Sequence, residues 1–234
     1  MFIIIDGIDG SGKSTVLKTW ISELETQGKK IFDLTEYHKK HGIYPNIEEM
    51  EAADIIITGE PTHALIGKAI RLEMIKKGNK YSASAIADAY SLDRLILYKK
   101  VILPMRKLGK IILQDRSVTT SLCYQSVQSD ELNLENIALR EGNAFALGNP
   151  PDYFILADLP VEEALARLGS RTEKQDDAIF EKRTFLEKAQ SCFMGSEYQD
   201  FLENHGFNIK TINTNQPIEA MKEESKEFIS DLLG

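Results

Sequence analysis

Cysteine is scarce in this chain: Cys123 and Cys192 are the two in 234 residues, and no CxxC spacing joins them. That excludes a disulfide framework or a zinc ribbon and leaves reduced thiols, with a cytoplasmic location expected. Long apolar runs are missing as well. Runs such as Phe2 to Ile5 and Ile55 to Ile57 fall far short of the ~20 residues a bilayer span requires. No basic segment with a longer apolar stretch and a small-residue cleavage site opens the chain, so neither membrane nor export is expected. Positive charge is in deficit, with 28 Lys and Arg against 36 Asp and Glu, a formal charge of -8 and a pI near 5.2. Such a surface repels duplex DNA and anionic lipid, so no nucleic-acid partner is expected, and a phosphate-bearing partner has to be met by a local cationic site. The histidines His38, His41, His63 and His205 show no HExxH or other regular ligand spacing, which argues against a histidine metal site. Repeats, low-complexity tracts and Pro/Gly/Ser linkers are also lacking, so residues 1–234 are expected to form a single domain.

What the chain does contain is a succession of short apolar β-branched runs alternating with helical periodicity. Phe2 to Ile5, Ile55 to Ile57, Ile111 to Leu113, Tyr153 to Ala157 and Ile209 to Ile212 suit strands buried on both faces, with Ile31-Phe32 as further strand material. Between them Val16, Leu17, Trp20, Ile21 and Leu24 recur at helical spacing up to Gly28, and similar patterns cover Ile66 to Met74, Ser84 to Pro104 and Ile218 to Leu232. The expected fold class is α/β, a three-layer α/β/α sandwich around a central parallel sheet of about five strands.

Gly7-Ile8-Asp9-Gly10-Ser11-Gly12-Lys13-Ser14 fits the GxxxxGK[ST] phosphate loop and lies between a predicted strand and a predicted helix, as its mechanism demands. Glycine lets the backbone approach an anion, so that successive N–H groups and the helix N-terminus face phosphate oxygens. Gly7, Asp9, Gly10, Ser11, Gly12, Lys13, Ser14 and Thr15 are therefore the expected binding residues for ATP. Lys13 is expected against the β- and γ-phosphates, and Ser14 with Asp115, at the end of an apolar strand, on Mg²⁺. No Asn-Lys-x-Asp segment is present for guanine. The loop alone leaves the acceptor open.

Five segments in order then make the chain similar to the thymidylate kinases over nearly its whole length. They are the phosphate loop with Asp9, Thr58-Gly59-Glu60-Pro61-Thr62 followed by Arg71, and Tyr90-Ser91-Leu92-Asp93-Arg94. Asp115-Arg116 with Thr120-Ser121 and Tyr124-Gln125 is the fourth, and Pro151-Asp152-Tyr153 leading to Asp158 and Arg167 the fifth. The resemblance implies a P-loop NTPase fold with a mobile lid at about 168–178, a homodimer, and a Mg²⁺-dependent kinase that passes the γ-phosphoryl group of ATP to dTMP, giving dTDP and ADP. It implies substrate contacts from Asp9, Glu60, Arg71, Tyr90, Arg94, Arg116, Thr120, Ser121 and Tyr124, and catalytic roles for Lys13, Asp115, Arg116 and a lid arginine, with Arg171 first in line because Gly10 stands where one subtype carries arginine. Thr214 to Pro217 matches the region that holds the donor adenine.

The chemistry of the residues agrees. Arg71, Arg94 and Arg116 can each form paired hydrogen bonds with phosphate oxygens, and Ser121 and Tyr124, three positions apart, share one helix face. Two departures border the acceptor side: the connection from Asp33 to Ala53 is longer than usual, and Ser117 stands where the Asp-Arg motif usually continues with an aromatic residue. The alternatives are another deoxynucleotide or a deoxynucleoside as acceptor, or an ATP-binding module without turnover.

Overall fold

The computed structural model describes residues 1–170 and 183–233. Its strands are β1 (Phe2–Asp6), β2 (Ile31–Asp33), β3 (Ile55–Gly59), β4 (Ile111–Asp115), β5 (Tyr153–Asp158) and β6 (Ile209–Asn213). They form one parallel sheet in the order β2-β3-β4-β1-β5-β6. Six strands thus stand where about five were expected, the smallest being the three-residue edge strand β2.

Helices cover both faces. After β1 comes α1 (Lys13–Thr26), and the long connection after β2 folds into α2 (Leu34–His41) and α3 (Ile47–Glu51). After β3, α4 (Leu65–Ala69) runs into a π-helical turn at Ile70–Met74, and α5 (Ala83–Leu97) continues through a second one, Tyr98–Ile102, into α6 (Leu103–Lys107). Pro104 sits in the first turn of α6 and has no N–H to give, which accounts for the widened ladder just before it. Beyond β4 lie α7 (Val118–Gln128), α8 (Leu134–Ala138) and α9 (Glu141–Leu147). Beyond β5 lie α10 (Val161–Gly169), α11 (Arg183–Met194) and α12 (Ser196–Asn204), and α13 (Ile218–Leu233) follows β6.

The alternation of side chains along β1 explains the layers. Ile3 and Ile5 join Val16, Trp20, Leu24, Met221 and Ile229 in the core under α1 and α13. Phe2 and Ile4 join Leu97, Tyr98, Val101, Ile102 and Leu122 on the other face. Each of these β1 side chains is fully buried, worth about 1.5–3 kcal/mol apiece against exposure. Register then places the site: Ile5 and Gly59 both lie level with Asp115, so β1, β3 and β4 end side by side, and the crevice beyond such carboxyl ends is where open parallel sheets bind ligands.

Candidate active site

The chain leaves β1 at Asp6 and enters α1 at Lys13, and the loop between turns back around its own lysine. Lys13 is almost fully buried, and its Nζ donates to Gly7 O at 2.9 Å and Ile8 O at 2.7 Å. Burial first, and Arg116 second, push its pKa down to about 8. Gly7 has φ +140°, and a Cβ there would lie 2.7 Å from Ala157 O. Only glycine therefore lets the loop leave the sheet against β5. Thr15 N donates to Gly12 O at 2.9 Å, which leaves the first N–H groups of α1 facing outward with the helix dipole behind them.

Opposite the loop, Arg116 holds a left-handed backbone, φ +64°, as the chain turns from β4 toward α7. Its Nη2 pairs with Asp9 Oδ1 at 2.6 Å, Nη1 lies 3.5 Å from Asp6 Oδ1, and the guanidinium stacks 5.3 Å over the Tyr124 ring. Burial works against this charge, but Asp9, Tyr124 and Asp6 outweigh it and hold the pKa well above the usual arginine range. Tyr124 Oη accepts from Asp9 N at 3.0 Å and donates to Asp9 Oδ2 at 3.2 Å. Asp6 is fully buried and accepts from Thr119 and Thr120 Oγ1 at 2.5 and 2.6 Å and from Gly7 N at 2.8 Å. Burial raises its pKa, with Arg116 and Lys13 opposing. Asp6 thus knits the loop to α7; its place at the end of an apolar strand, one residue before the motif, was the signal available in the sequence.

The third group hangs from the end of β3. Glu60 N donates to Asp115 O at 2.9 Å, and the Glu60-Pro61 peptide is cis. Arg71 is tied to this turn, with Nε donating to Pro61 O at 2.8 Å and Thr62 O at 3.2 Å. Asp93 accepts from both N and Oγ1 of Thr62 at 2.7 Å, so the acidic residue beside Arg94 serves the turn. The ion-pair partner of Arg94 is instead Glu60, Nη2 to Oε2 2.6 Å, both side chains buried. Gln114 Nε2 donates to Glu60 Oε1 at 3.0 Å. Burial drives the Glu60 pKa up to about 7 against the opposing pull of Arg94. Neither Gln114 nor Asn143, which accepts from Arg94 Nη1, carried a sequence signal; both are isolated amides inside predicted elements.

These groups share one cleft of about 490 Å³. Every residue expected in a catalytic, phosphate-binding or acceptor role among those described lines it except Gly7 and Ser11, which lie behind the loop surface, and Thr214 to Pro217, the region matched to the donor adenine, does not line it. Asp9, Gly10, Gly12, Lys13, Ser14 and Thr15 form one side, and Glu60, Arg71, Tyr90, Arg94, Asp115, Arg116, Thr120, Ser121 and Tyr124 the other. Arg171, Lys174 and most of the expected lid at 168–178 lie outside the described residues. Arg167 Nη2 donates to Thr214 O at 2.8 Å beside Gly12, joining α10 to the loop after β6. The long 33–53 connection also reaches the cleft, through Asp33, Thr35 and Lys39, next to His63. Asp115 Oδ1 is buried with no hydrogen-bond partner among the described residues. An orphaned carboxylate oxygen in a cleft that Ser14 also lines suits a hard divalent cation such as Mg²⁺.

A glycine loop between strand and helix at the carboxyl edge of a parallel sheet, sharing its cleft with three arginines, defines a P-loop nucleotide-binding protein that handles two phosphate-bearing ligands. Comparison with known proteins narrows the class. The family model described as thymidylate kinase matches residues 41–225. A probable thymidylate kinase of Thermococcus onnurineus is 35% identical over 195 residues, spanning 80% of this chain and 79% of the relative. One of Thermococcus kodakarensis is 31% identical over 247 residues, spanning 100% and 99%, phosphate loop included. The thymidylate kinase of Lactobacillus delbrueckii subsp. bulgaricus is 27% identical over 97% of this chain and 94% of its own. The chain belongs to the thymidylate kinase family.

Proposed function

We propose that the chain transfers the γ-phosphoryl group of ATP to dTMP. A phosphate oxygen of dTMP bonds to the γ-phosphorus, the bond to the β,γ-bridging oxygen breaks, and dTDP and ADP leave. The observation that carries this reading is the shared cleft, with the phosphate loop facing Arg71 and Arg116. Burial first and Arg116 second lower the pKa of Lys13, and burial lowers that of Arg71, with Arg116 adding a smaller push in the same direction. Such crowded cations are relieved by anions, and preorganised charge of this kind is the main resource of phosphoryl transfer. Among the described residues Arg71 bonds to the carbonyls of Pro61 and Thr62 and pairs with no carboxylate, so a bare nucleoside would leave its charge unmatched, which argues for an acceptor phosphate.

In this reading the N–H groups of Gly10, Gly12, Lys13 and Ser14 and the hydroxyl of Thr15 hold the donor phosphates, and Lys13 exchanges its loop carbonyls for phosphate oxygens. Ser14 and Asp115 would hold Mg²⁺, which when bound would supply charge neutralisation for the donor phosphates. Arg71 and Arg116 orient the acceptor phosphate. Tyr90, Arg94, Thr120, Ser121 and Tyr124 receive the nucleoside, with Asp9 and Glu60 fixing Arg116 and Arg94. The acceptor phosphate is already anionic near neutral pH, so no side chain has to remove a proton.

The same reading takes the chain as one kinase domain acting as a cytoplasmic homodimer, without membrane or nucleic acid. No helix among the described residues is long and apolar enough to cross a membrane. Support for a dimer comes from Leu65 and Leu72, seven residues apart and about half exposed. Apolar side chains left uncovered in this way favour association. An ADP-release assay with dTMP, dUMP, dCMP and thymidine tests the function: dTMP should be turned over best, and turnover of none would overturn it.

A further inference from the structure

Arg94 lines the cleft yet is 1% exposed, so the base end of the acceptor can use it only if its guanidinium is fixed in one orientation. Two partners, Glu60 Oε2 at 2.6 Å and Ser121 Oγ at 3.0 Å, both act on Nη2. Both bear on one terminal nitrogen, so they anchor that end of the guanidinium and leave its opposite edge, Nη1 and Nε, to be held by something else. Of these, Nε has no hydrogen-bond partner among the described residues, and Nη1 donates to Oδ1 of Asn143 on α9. Asn143 is fully buried and stands outside the cleft lining. Its amide is fixed in turn, since Nδ2 donates to Ile137 O at 2.6 Å, which leaves the oxygen as the end that faces Arg94. The preceding residue brings α9 close enough. Gly142 N donates to Ser91 Oγ at 2.9 Å, and a Cβ on Gly142 would lie 1.8 Å from Ser91 O, so any side chain there would force α9 away from α5.

We propose that Asn143 is a positioning residue for acceptor recognition: held by Ile137 O and delivered by Gly142, it fixes the edge of the Arg94 guanidinium opposite the end that Glu60 anchors. The inference rests on the dTMP kinase reading, and it adds to that site a residue that touches no substrate. Fixed donors of this kind discriminate among ligands because the geometry is prepared before binding.

The test is steady-state kinetics on N143A and on N143L, which is nearly isosteric, lacks the acceptor and guards against a cavity that unfolds the chain. Both should raise KM for dTMP about tenfold, the worth of one well-oriented hydrogen bond, with KM for ATP unchanged. In an R94A background, N143L should cost no more than about twofold further in kcat/KM, because no guanidinium is left to orient. G142A should reproduce the rise in KM for dTMP. An unchanged KM for dTMP in both Asn143 variants, or an equal tenfold loss with and without Arg94, would overturn the proposal. Absence of dTMP turnover by the unaltered chain would overturn the functional reading instead, and this one with it.

Discussion

Arg116 at the end of β4 reaches across to Asp9 in the phosphate loop, Nη2 to Oδ1 2.6 Å, from a backbone held at φ +64°. The pair joins the donor half of the cleft to the acceptor half. In the proposed reading an acceptor phosphate draws this guanidinium partly away from Asp9, while Tyr124, bonded to both the amide and the carboxylate of Asp9, keeps the carboxylate in place.

R116A should therefore lower kcat/KM for dTMP about 10²–10³-fold, the usual cost of removing one preorganised charge donor. R116K should recover little of it, because an ammonium cannot replace the planar fork. Initial rates at varied dTMP check both.

Lys13 is held inside the loop by its own carbonyls, so K13A should reduce kcat about 10³-fold with the fold retained, measured by ADP release and circular dichroism. Its folded pKa, about 8, lies below the ordinary 10.5. Between those values the unfolded chain binds more protons, so this group makes stability rise with pH from about 8 to 10.5. The K13M variant should lack that rise in urea titrations.

Glu60 titrates the other way, with a folded pKa of about 7 against 4.5. Its protonated form is favoured in the fold, so the contribution is fully present below pH 4.5 and is lost as pH rises through 7. The stability of the unaltered chain relative to E60Q should fall across that window by on the order of 3 kcal/mol. Taking the difference cancels His38 and His63, whose pKa values burial pushes down to about 4.

Asp93 tests a structural role. D93A leaves the N–H of Thr62 without its acceptor in a buried turn, while the hydroxyl keeps Ala64 O, and should cost about 1–3 kcal/mol in urea denaturation. D93N, which keeps one acceptor oxygen, should lose less than D93A.

Much of this was legible in the sequence because local pattern and chemistry agreed. β-branched runs with no polar alternation marked strands covered on both faces, and the glycine spacing placed the loop between β1 and α1. Arg71, Arg94 and Arg116 were recognisable from ordered motifs and do converge on one cleft. What stayed hidden depends on contacts distant in the chain. Asn143 meets Arg94 across 49 residues, Asp6 meets Thr119 across 113, and the partner of Arg94 is Glu60 and not its neighbour Asp93. The helices α2 and α3 in the long connection were likewise unmarked, since a polar stretch has weak periodicity; their capping residues Asp33 and Asn46 gain meaning only once the turns are known.

The most direct test of two anions gripped side by side is a crystal structure with dTMP and a non-hydrolysable ATP analogue. The account expects the analogue's phosphates in the loop around Lys13, and Arg71 and Arg116 bonded to the dTMP phosphate. A dTMP phosphate bound away from both arginines, with Arg116 still paired only to Asp9, would contradict it.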